Sequence, residues 1–464
     1  MKKAKMICSA ILAAAAVLSM AGCDSDTELK SGDKDALQQS TSASTTTNTL
    51  DDDVNNPVDI TDFVEEATLE NPNITYFGYY DMRVAGDIKP GVKLFEETYG
   101  GKIDYVSCTW DERIDKLQMM IAADNSPDLV DREEVSFPYM ITMNVYEDLT
   151  DYIDLTQPHW QDYAPLVESY EWEGGHYYYP FTATALPDCL IYNKDVFENL
   201  GINDPKELYD KGEWTWDTFK QSMIQFMERQ DGAIGGVYGL LGNDIMLTTG
   251  VPLVGYEGGV ITNNMETAAL DRAASFLMEL RREGLAVRGD GMWSNEPAPL
   301  AKHKVAFLGV GTWKITDFCK DYPDETYGFV PYPRDPAADK YYYNCSAQGY
   351  FVPKGASNIE GAAAFIDIMR KCNEDPELKA VVKESIMNDK KYSEEQYEFL
   401  TSFEDIGRFD YVINFSNGFN SDLSKVIDGM LTNLAFEQGE DQKTWTQFKG
   451  EYKGVIDAVL DDYT

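Results

Sequence analysis

The sequence predicts an α/β protein built from two lobes. The first observation is an alternation of short strands and helices between residues 74 and 130, and the second is a similar region that begins near Asp188. The third is length, because residues 58–464 number about 400, which is more than one hydrophobic core usually supports. With 43% hydrophobic and 12% aromatic residues, the chain can build two cores.

The N-terminal residues precede this α/β region and resemble a bacterial lipoprotein signal. Three lysines occur among the first five residues, Met6 to Leu18 form an apolar run too short to span a bilayer, and Met20-Ala21-Gly22-Cys23 ends the segment with small residues. The resemblance implies that residues 1–22 are removed and that Cys23 carries a lipid on the outer face of the cell membrane. An ordinary secretory signal, in which Cys23 is incidental, is the alternative.

Residues 23–57 have the composition of a tether. They are rich in Ser, Thr, Asp and Asn and contain almost no bulky apolar side chains. Such a segment cannot bury enough apolar surface to fold, so we expect a disordered spacer between the lipid and the first lobe. No later window offers 18 apolar residues in a row, so the sequence predicts no transmembrane helix.

The first α/β region reads as β-α-β-α-β. Strands are predicted at 74–77, 103–105 and 127–130, and the helices between them carry apolar residues at helical spacing, namely Val92, Phe95, Tyr99, Ile114, Leu117 and Ile121. Gly100-Gly101 ends the first helix in the manner of a C-cap. This order implies a parallel sheet with a ligand crevice at the carboxyl ends of the strands.

The second region repeats the same kinds of signal. Leu190-Ile191-Tyr192-Asn193 is typical of a buried strand, and Gly201 ends the helix that follows it. A long helix is expected to end at Gly284. The apolar faces of this and two other helices are predicted to contain Phe219, Met223 and Phe226; Ala269, Ala273, Phe276, Leu277 and Leu280; and Phe365, Ile368 and Met369.

Charge and motifs exclude several classes of function. The net charge of −41 disfavours nucleic acid and anionic lipid headgroups as partners, because both would be repelled. The chain has no GxSxG, HExxH or GxxxxGK[ST] motif, so the sequence predicts neither an enzyme nor a cofactor. A surface glycoside hydrolase remains an alternative, since 80 acidic residues always contain some suitable carboxylate pair.

Cysteine and histidine usage indicates no metal site. Five cysteines remain after the signal and Cys23, an odd number, and we expect most of them to be buried thiols. The alternative is a disulfide between Cys319 and Cys345. The Tyr177-Tyr178-Tyr179 and Tyr341-Tyr342-Tyr343 runs cannot converge on one metal ion, because consecutive strand residues point to opposite faces; we expect them to cover lobe edges.

Six segments in a fixed order then identify a resemblance. They are Lys93 to Gly100, Leu117 to Leu129, Leu190 to Phe197 leading to Trp214-Thr215-Trp216, Lys304 to Trp313, Tyr327 to Pro333, and Phe351 to Gly355. From about residue 74 onward the chain resembles the family 1 extracellular solute-binding proteins, the maltose-binding-like receptors of carbohydrate ABC transporters. The resemblance implies a monomer that captures a carbohydrate, with an oligosaccharide as the expected ligand. The protein would deliver this ligand unaltered to a permease. Receptors for peptides, polyamines or osmolytes share the plan and remain alternatives.

The resemblance also implies a two-lobed, type II periplasmic-binding-protein-like fold whose chain crosses between lobes about three times. We expect the crossings near Thr182 to Leu186, Gly328 to Pro333, and Lys371 to Glu374. The N-lobe would then comprise residues 73–182 and 333–371. The C-lobe would comprise residues 187–327 and 375–464.

Strand ends and family positions together indicate the ligand contacts. A sugar ring rests its C–H face on an aromatic ring, and its hydroxyl groups need donors and acceptors. Trp313 follows Gly309, Gly311 and Thr312 in a loop of small residues and matches the family position where a tryptophan stacks on sugar. The remaining candidates are Tyr79, Tyr80, Asp81, Trp110, Asp111, Arg132, Glu133, Asn243, Asp244, Tyr256, Trp293, Asp410 and Tyr411. For each of them, a packing or surface role is the alternative.

Overall fold

The structure is a computed structural model. It describes residues 58–132, 136–183, 187–288, 298–345, 347–388, 393–404, 407–439 and 442–463. The signal segment, Cys23 and the tether lie outside the described residues, and so do Glu133, Trp293 and the centre of the first expected crossing.

The described strands, in chain order, are β1 (Ile74–Gly78), β2 (Ile103–Ser107), β3 (Leu129–Asp131), β4 (Glu171–Trp172), β5 (Gly175–His176), β6 (Asp188–Asn193), β7 (Gly235–Gly239), β8 (Val254–Glu257), β9 (Val260–Asn263), β10 (Ala286–Val287), β11 (Val305–Gly311), β12 (Tyr327–Val330), β13 (Tyr341–Asn344), β14 (Tyr350–Phe351) and β15 (Phe409–Val412). The three strands expected in the first region and the strand at Leu190 to Asn193 are therefore confirmed.

The described helices are α1 (Lys89–Tyr99), α2 (Arg113–Ala122), α3 (Ala164–Glu168), α4 (Lys194–Asn199), α5 (Pro205–Asp210), α6 (Trp216–Arg229), α7 (Gly242–Leu247), α8 (Ala268–Arg282), α9 (Ala298–Ala301), α10 (Ile315–Asp321), α11 (Ile359–Cys372), α12 (Pro376–Asn388), α13 (Glu394–Thr401), α14 (Ser421–Phe436) and α15 (Trp445–Leu460). Gly100 ends α1 with φ of 68°, a left-handed conformation that glycine adopts without strain.

Two main sheets carry the fold. The first has the order β14-β3-β1-β2, in which β1, β2 and β3 are parallel and β14 runs antiparallel to β3. The second has the order β10-β7-β11-β6-β12, in which β6 runs antiparallel to both β11 and β12. Smaller pairs are the hairpins β4–β5 and β8–β9 and the parallel pair β13–β15.

Burial follows the helical and strand periodicities. The predicted faces of α6, α8 and α11 are buried through residues such as Phe219, Leu277 and Phe365. One buried cluster includes residues of both main sheets, among them Phe77 and Ile191. A second cluster lies around the first sheet, with α1 and α11 packed against it.

The first tyrosine run differs from the expectation that it covers an edge. Tyr178 and Tyr179 are both fully buried, and they belong to the two different clusters. Alternation along the extended chain sends one ring to each core, so these residues pack the interior on both faces.

The described cysteines are all free thiols. Cys189, Cys345 and Cys372 are buried, which confirms the expectation of buried thiols for these three, whereas Cys108 and Cys319 are half-buried. The alternative disulfide between Cys319 and Cys345 is not formed.

The residues after Pro333 remain in contact with the second sheet and its helices. Arg334 bridges to Thr215, and the side chain of Asp335 accepts a hydrogen bond from Arg272 at 2.7 Å. Strand β13 then pairs with β15. The crossing expected at Gly328 to Pro333 stays a prediction.

The helix that follows the third expected crossing packs against elements of the first sheet layer. Helix α12 packs on α1 and α11, and Leu378 lies in the same cluster as Phe95. This helix therefore packs with the first sheet, and the crossing expected at Lys371 to Glu374 stays a prediction.

Within the described ranges, every helix is too short or too polar to cross a lipid bilayer.

Candidate functional site

The candidate site begins at one edge of the first sheet. Strands β1, β2 and β3 are parallel, so their carboxyl ends meet at the same edge, where Tyr79, Trp110 and Arg132 follow them. Arg132 is half-buried, and its charge acts on the buried hydroxyls of Tyr170 and Tyr178.

Two exposed aromatic rings form the most prominent feature of this edge. The side chains of Tyr79 and Trp110 are 43% and 53% exposed, and their ring centroids lie 4.9 Å apart at an interplanar angle of 82°. The guanidinium carbon of Arg113 lies 3.5 Å from the Trp110 ring centroid, and Arg113 also donates to the Trp110 carbonyl. The neighbouring Asp111 is exposed. This edge therefore offers a platform for a flat apolar surface beside charged groups.

Asp131 lies behind that platform and organises two tyrosines. The hydroxyls of Tyr76 and Tyr80 donate to its carboxylate at 2.5 and 3.1 Å. Burial raises the pKa of Asp131 to about 6, although the two hydroxyl donors lower it. Asp131, Tyr79 and Arg113 line a small cavity of about 20 Å³ at this edge.

The carboxylate of Asp81 forms an ion pair with Arg83, two residues away. Its two carboxylate oxygens accept from Nε and Nη2 of Arg83 at 2.8 and 2.7 Å, and one of them also accepts from the Arg83 backbone amide. This geometry supports the short turn after β1. Tyr80 is likewise engaged, through Asp131.

The second sheet presents a comparable edge. Because β6 is antiparallel to β11 and β12, its first residue, Asp188, lies at the edge where those two strands end. Trp313 follows β11 there, and its side chain is 39% exposed. The ammonium group of Lys314 lies 5.0 Å from the Trp313 ring centroid. An exposed indole therefore stands at each of the two edges.

Gly311 allows the indole of Trp313 to lie back against the chain. A Cβ atom at this position would fall 2.1 Å from the Trp313 Nε1 atom, far inside contact distance. The absence of a side chain at Gly311 therefore has a steric explanation, because it leaves room for the indole at the edge.

A buried carboxyl pair lies at the same edge. Asp188 and Asp244 are hydrogen-bonded to each other, and Asp244 is 7% exposed. Burial and the neighbouring carboxylate raise the pKa of Asp244 well above its ordinary value, and burial raises that of Asp188. The pair holds a proton over a pH range in which a solvated Asp is ionised.

Three further candidates of the second half are not members of this pair. Asn243 accepts a hydrogen bond from the side-chain amide of Asn414 at 3.1 Å. Asp410 is exposed on β15, 3.7 Å from the ammonium group of Lys340, and Tyr411 is half-buried beside it. No contact in the described residues joins them to Trp313.

Tyr256 has a packing role. It is buried, it stacks on Trp172 with centroids 5.5 Å apart, and it contacts Phe137 and Phe415 edge-on. Its hydroxyl donates to the Glu171 carbonyl at 2.5 Å. The sequence does not reveal this packing, because the aromatic neighbours of Tyr256 come from segments distant in the chain.

The two edges are neighbours in the chain. Thr182 bridges to Gln348 beside the first sheet, and β6 begins six residues later at Asp188. Six extended residues reach at most about 20 Å, so the carboxyl-end edges of the two sheets lie near one another. Gln348 lies just before β14, which starts at that same edge opposite Asp131.

Sequence reasoning missed three residues of these edges. Arg113 is not among the predicted contacts, although it follows Trp110 by three residues and its guanidinium lies over the indole. Asp131, the last residue of β3, is not among the predicted contacts either. Asp188 gave no signal, because its partner Asp244 is distant in sequence.

Comparison of the sequence with protein families gives a match that includes both sheet edges. Residues 71–371 match the family described as bacterial extracellular solute-binding protein. No curated protein matches the chain.

Solved structures of similar fold align with this chain over nearly their whole length. The GacH receptor of Streptomyces glaucescens, solved unliganded and with acarbose, has 18% identity and a TM-score of 0.59, covering 86% of this chain and 100% of its own. The cyclic α-maltosyl-1,6-maltose binding protein of Arthrobacter globiformis has 15% identity and a TM-score of 0.62, covering 84% and 99%. UgpB of Mycobacterium tuberculosis, in complex with glycerophosphocholine, has 15% identity and a TM-score of 0.60, covering 84% and 99%.

These neighbours share the two-lobed, type II periplasmic-binding fold, and the family consists of solute-binding proteins rather than enzymes. The match extends over well more than half of the sequence and includes both sheet edges. The chain therefore belongs to the bacterial extracellular solute-binding proteins.

Proposed function

We propose that the protein captures a carbohydrate between its two sheet edges and delivers it to an ABC transporter permease. The observation that carries this proposal is the presence of exposed indoles at both edges, Trp110 with Tyr79 on one and Trp313 on the other. An aromatic face suits the C–H face of a sugar ring, and Arg113 and Asp111 supply polar groups for its hydroxyls. The carbohydrate ligands named for the structures from Streptomyces and Arthrobacter support the same class.

We also propose boundaries for the two lobes that would close on this ligand, and the packing of β13 and α12 supports them. We assign residues 73–183 and 347–388 to the N-lobe and residues 187–345 and 393–463 to the C-lobe. Closure then requires a ligand that contacts both edges, since a ligand with no preference for the closed state would shift nothing.

Cell-surface attachment is a separate part of the proposal. The lipoprotein-like N-terminus would place a lipid on Cys23 and hold the lobes outside the membrane on the 23–57 tether. Changing Cys23 to Ala should release the protein from the membrane fraction, which fractionation with immunoblotting measures. A protein that stays membrane-bound after this change would contradict the anchor.

The ligand class is tested by a thermal-shift panel on purified residues 58–464. Mono- and oligosaccharides are compared with peptides, amines and glycerophosphocholine, because a ligand held only by the folded state raises the melting temperature. We expect an oligosaccharide to give the largest shift and to be recovered intact. A shift confined to the non-sugar ligands would replace the carbohydrate proposal, and cleaved sugar would indicate a hydrolase.

Trp313→Ala tests the site itself. Loss of a stacking anchor costs about 2 kcal/mol or more, so affinity for the ligand found in the panel should fall about 10- to 100-fold. Tyr152→Ala is a matched control, because Tyr152 is 44% exposed in a turn that does not directly follow a strand of either main sheet. Equal affinities for the two variants in calorimetric titrations would remove Trp313 from the site.

A further inference from the structure

Asp131 is the last residue of β3 and lines the small cavity beside Tyr79. Its Oδ2 atom accepts from the Tyr76 hydroxyl at 2.5 Å, and its Oδ1 atom accepts from the Tyr80 hydroxyl at 3.1 Å. Both carboxylate oxygens therefore hold tyrosines that lie on β1 or directly after it. An ionised carboxylate only accepts hydrogen bonds, so it can satisfy both hydroxyl donors at once.

Gly78 makes room for this arrangement. Strand β1 pairs in parallel with β3, and the register places Gly78 beside Asp131. A Cβ atom at Gly78 would fall 2.2 Å from the Tyr76 hydroxyl oxygen, far inside contact distance. The Tyr76 ring thus occupies the space over Gly78, and this position brings its hydroxyl to the Asp131 carboxylate.

Tyr80 connects the carboxylate to the exposed aromatic platform. Its ring centroid lies 5.2 Å from that of Tyr79, and the Tyr79 centroid lies 4.9 Å from that of Trp110. Both contacts are edge-to-face, a geometry that aromatic rings favour. A continuous series of contacts therefore runs from Asp131 through Tyr80 and Tyr79 to the exposed indole.

A third tyrosine offers a partner to the protonated carboxyl. Tyr350 pairs with Asp131 across β14 and β3, and its buried hydroxyl has no hydrogen-bond partner in the described part of the chain. Residues directly opposite in antiparallel strands have their side chains on the same face. When the Asp131 carboxyl takes up a proton, one of its oxygens becomes a donor and no longer accepts. The Tyr350 hydroxyl is then available as the acceptor.

Asp131 changes its charge in an accessible pH range. Burial raises its pKa to about 6 with a contribution from Asp87, although the two hydroxyl donors lower it. Below this pH the carboxyl is protonated, and the longer contact, with Tyr80, is the one expected to break.

The other groups around Asp131 keep their charge through this change. Burial raises the pKa of each neighbouring phenol, so these hydroxyls stay protonated. The groups that face Asp131 are the phenols of Tyr76, Tyr80, Tyr105, Tyr178 and Tyr350, the carboxylate of Asp87, Arg113 on the shared cavity and the adjacent Arg132.

We propose that Asp131 is the positioning residue of the platform: its ionised carboxylate holds Tyr80 and thereby fixes Tyr79 against Trp110 for solute binding. Only the last step rests on the proposed function, because the arrangement of the platform can be measured without solute. Affinity for solute should be highest above about pH 6 and should decline as pH falls through this value.

The first test measures the platform in the ligand-free protein. Acrylamide quenching of tryptophan emission is followed from about pH 8 to about pH 5, a range that brackets the transition. The component that is lost in Trp110→Phe is assigned to Trp110. We expect this component to become more accessible as pH falls, because Tyr79 no longer covers one edge of the indole.

Two variants connect this change to Asp131. Asp131→Asn resembles the protonated carboxyl, since its amide has one acceptor oxygen and one donor group, so Trp110 should be accessible at every pH. Tyr80→Phe removes only the connecting hydroxyl and should have the same effect. If Asp131→Asn does not fold, Tyr80→Phe carries the test.

Asp104→Asn is the matched control, since Asp104 is an exposed carboxylate on β2 of the same sheet. This variant should retain the pH-dependent step. Other groups titrate in the same range, Asp188 among them, and the variants separate their effects from that of Asp131. A step of equal size in Asp131→Asn and Tyr80→Phe, or no step in the natural protein, would overturn the proposal.

The second test repeats the comparison with the solute found in the thermal-shift panel. Affinity of the natural protein should fall about threefold to tenfold across the transition, the loss expected for one net hydrogen bond. Both variants should show the lower affinity at every pH. An affinity that does not depend on pH in the natural protein would refute the role of Asp131 in solute binding. If no compound in the panel binds, the proposed function fails, and the quenching result alone decides whether Asp131 positions the platform.

Discussion

At the residue scale, the position of Trp313 depends on Gly311. The glycine has an ordinary extended backbone with φ of −68°, so any residue could adopt it, and only the contact with the indole excludes a side chain. Gly311→Ala should therefore displace the ring from its place at the edge while the backbone is retained. Ligand affinity should fall by a factor approaching that of Trp313→Ala, with a small change in melting temperature.

Gly454→Ala is the control for this prediction, because a Cβ atom there meets no atom within 4 Å. Titration of both variants with the same ligand provides the comparison. Full affinity in Gly311→Ala would show that the indole finds another productive position.

The carboxyl pair of Asp188 and Asp244 predicts a pH dependence of stability. Both pKa values are raised by folding, so the folded state retains protons that the unfolded state releases above about pH 4. The contribution of the pair to stability is therefore greatest at low pH and declines as pH rises through this range toward neutrality. Asp244→Asn removes one ionisable group and should stabilise the protein at pH 7, because the variant lacks a carboxyl whose pKa is raised by burial.

Denaturant unfolding at several pH values measures this effect. The gain in Asp244→Asn over the natural protein should shrink toward pH 4, and Asp231→Asn, at an exposed site, should show no such trend. A constant difference across pH would contradict proton retention by the pair.

At the element scale, Asn358 connects the start of α11 to the first sheet. Its carbonyl oxygen accepts from the Gly361 amide at 2.9 Å, and its amide nitrogen donates to the carbonyls of Asn71 and Asn73, each at 2.8 Å. Asn358→Ala would remove the cap and leave two carbonyls without this donor. We expect a loss of about 2 to 3 kcal/mol in the free energy of unfolding, compared with about 1 kcal/mol for an isolated cap.

Thr444→Ala provides the isolated cap, because Thr444 caps α15 in an exposed setting. Chemical denaturation of the two variants gives the comparison. Equal losses would mean that the contacts with Asn71 and Asn73 contribute little.

The elements also show how far the sequence could predict the fold. Local periodicity identified the first three strands and helices α1 and α2, since each is defined by residues close in sequence. It does not reveal pairings such as that of β13 with β15, because these strands lie more than 60 residues apart. The same limit applies to the site: exposed Tyr79, Trp110 and Trp313 follow strand ends, whereas the burial of Asp244 depends on a distant partner.

At the scale of the whole molecule, the continuity of one core across both sheets predicts cooperative unfolding. Phe77 and Val130 of the first sheet share a buried cluster with Ile191 and Phe307 of the second. Opening one half would expose apolar surface of the other, so the halves should not melt independently. Scanning calorimetry of residues 58–464 should show a single transition with equal calorimetric and van't Hoff enthalpies.

Two resolved transitions would contradict this coupling. Phe415→Ala offers a graded test, because Phe415, in the second half of the chain, contacts Phe137 and Tyr170 in the first half. This variant should lower the melting temperature of the whole molecule rather than split the transition, since one cavity weakens both halves together.

The distribution of indoles has a practical consequence. In the described part of the chain, Trp160, Trp172, Trp214, Trp216 and Trp445 are buried, whereas Trp110 and Trp313 face water at the two edges. A collisional quencher such as acrylamide would extinguish the emission of these two first and leave the interior signal. Solute bound between the edges would shield both indoles from the quencher. Quenching of the unlabelled protein would therefore measure the fraction of molecules that hold solute.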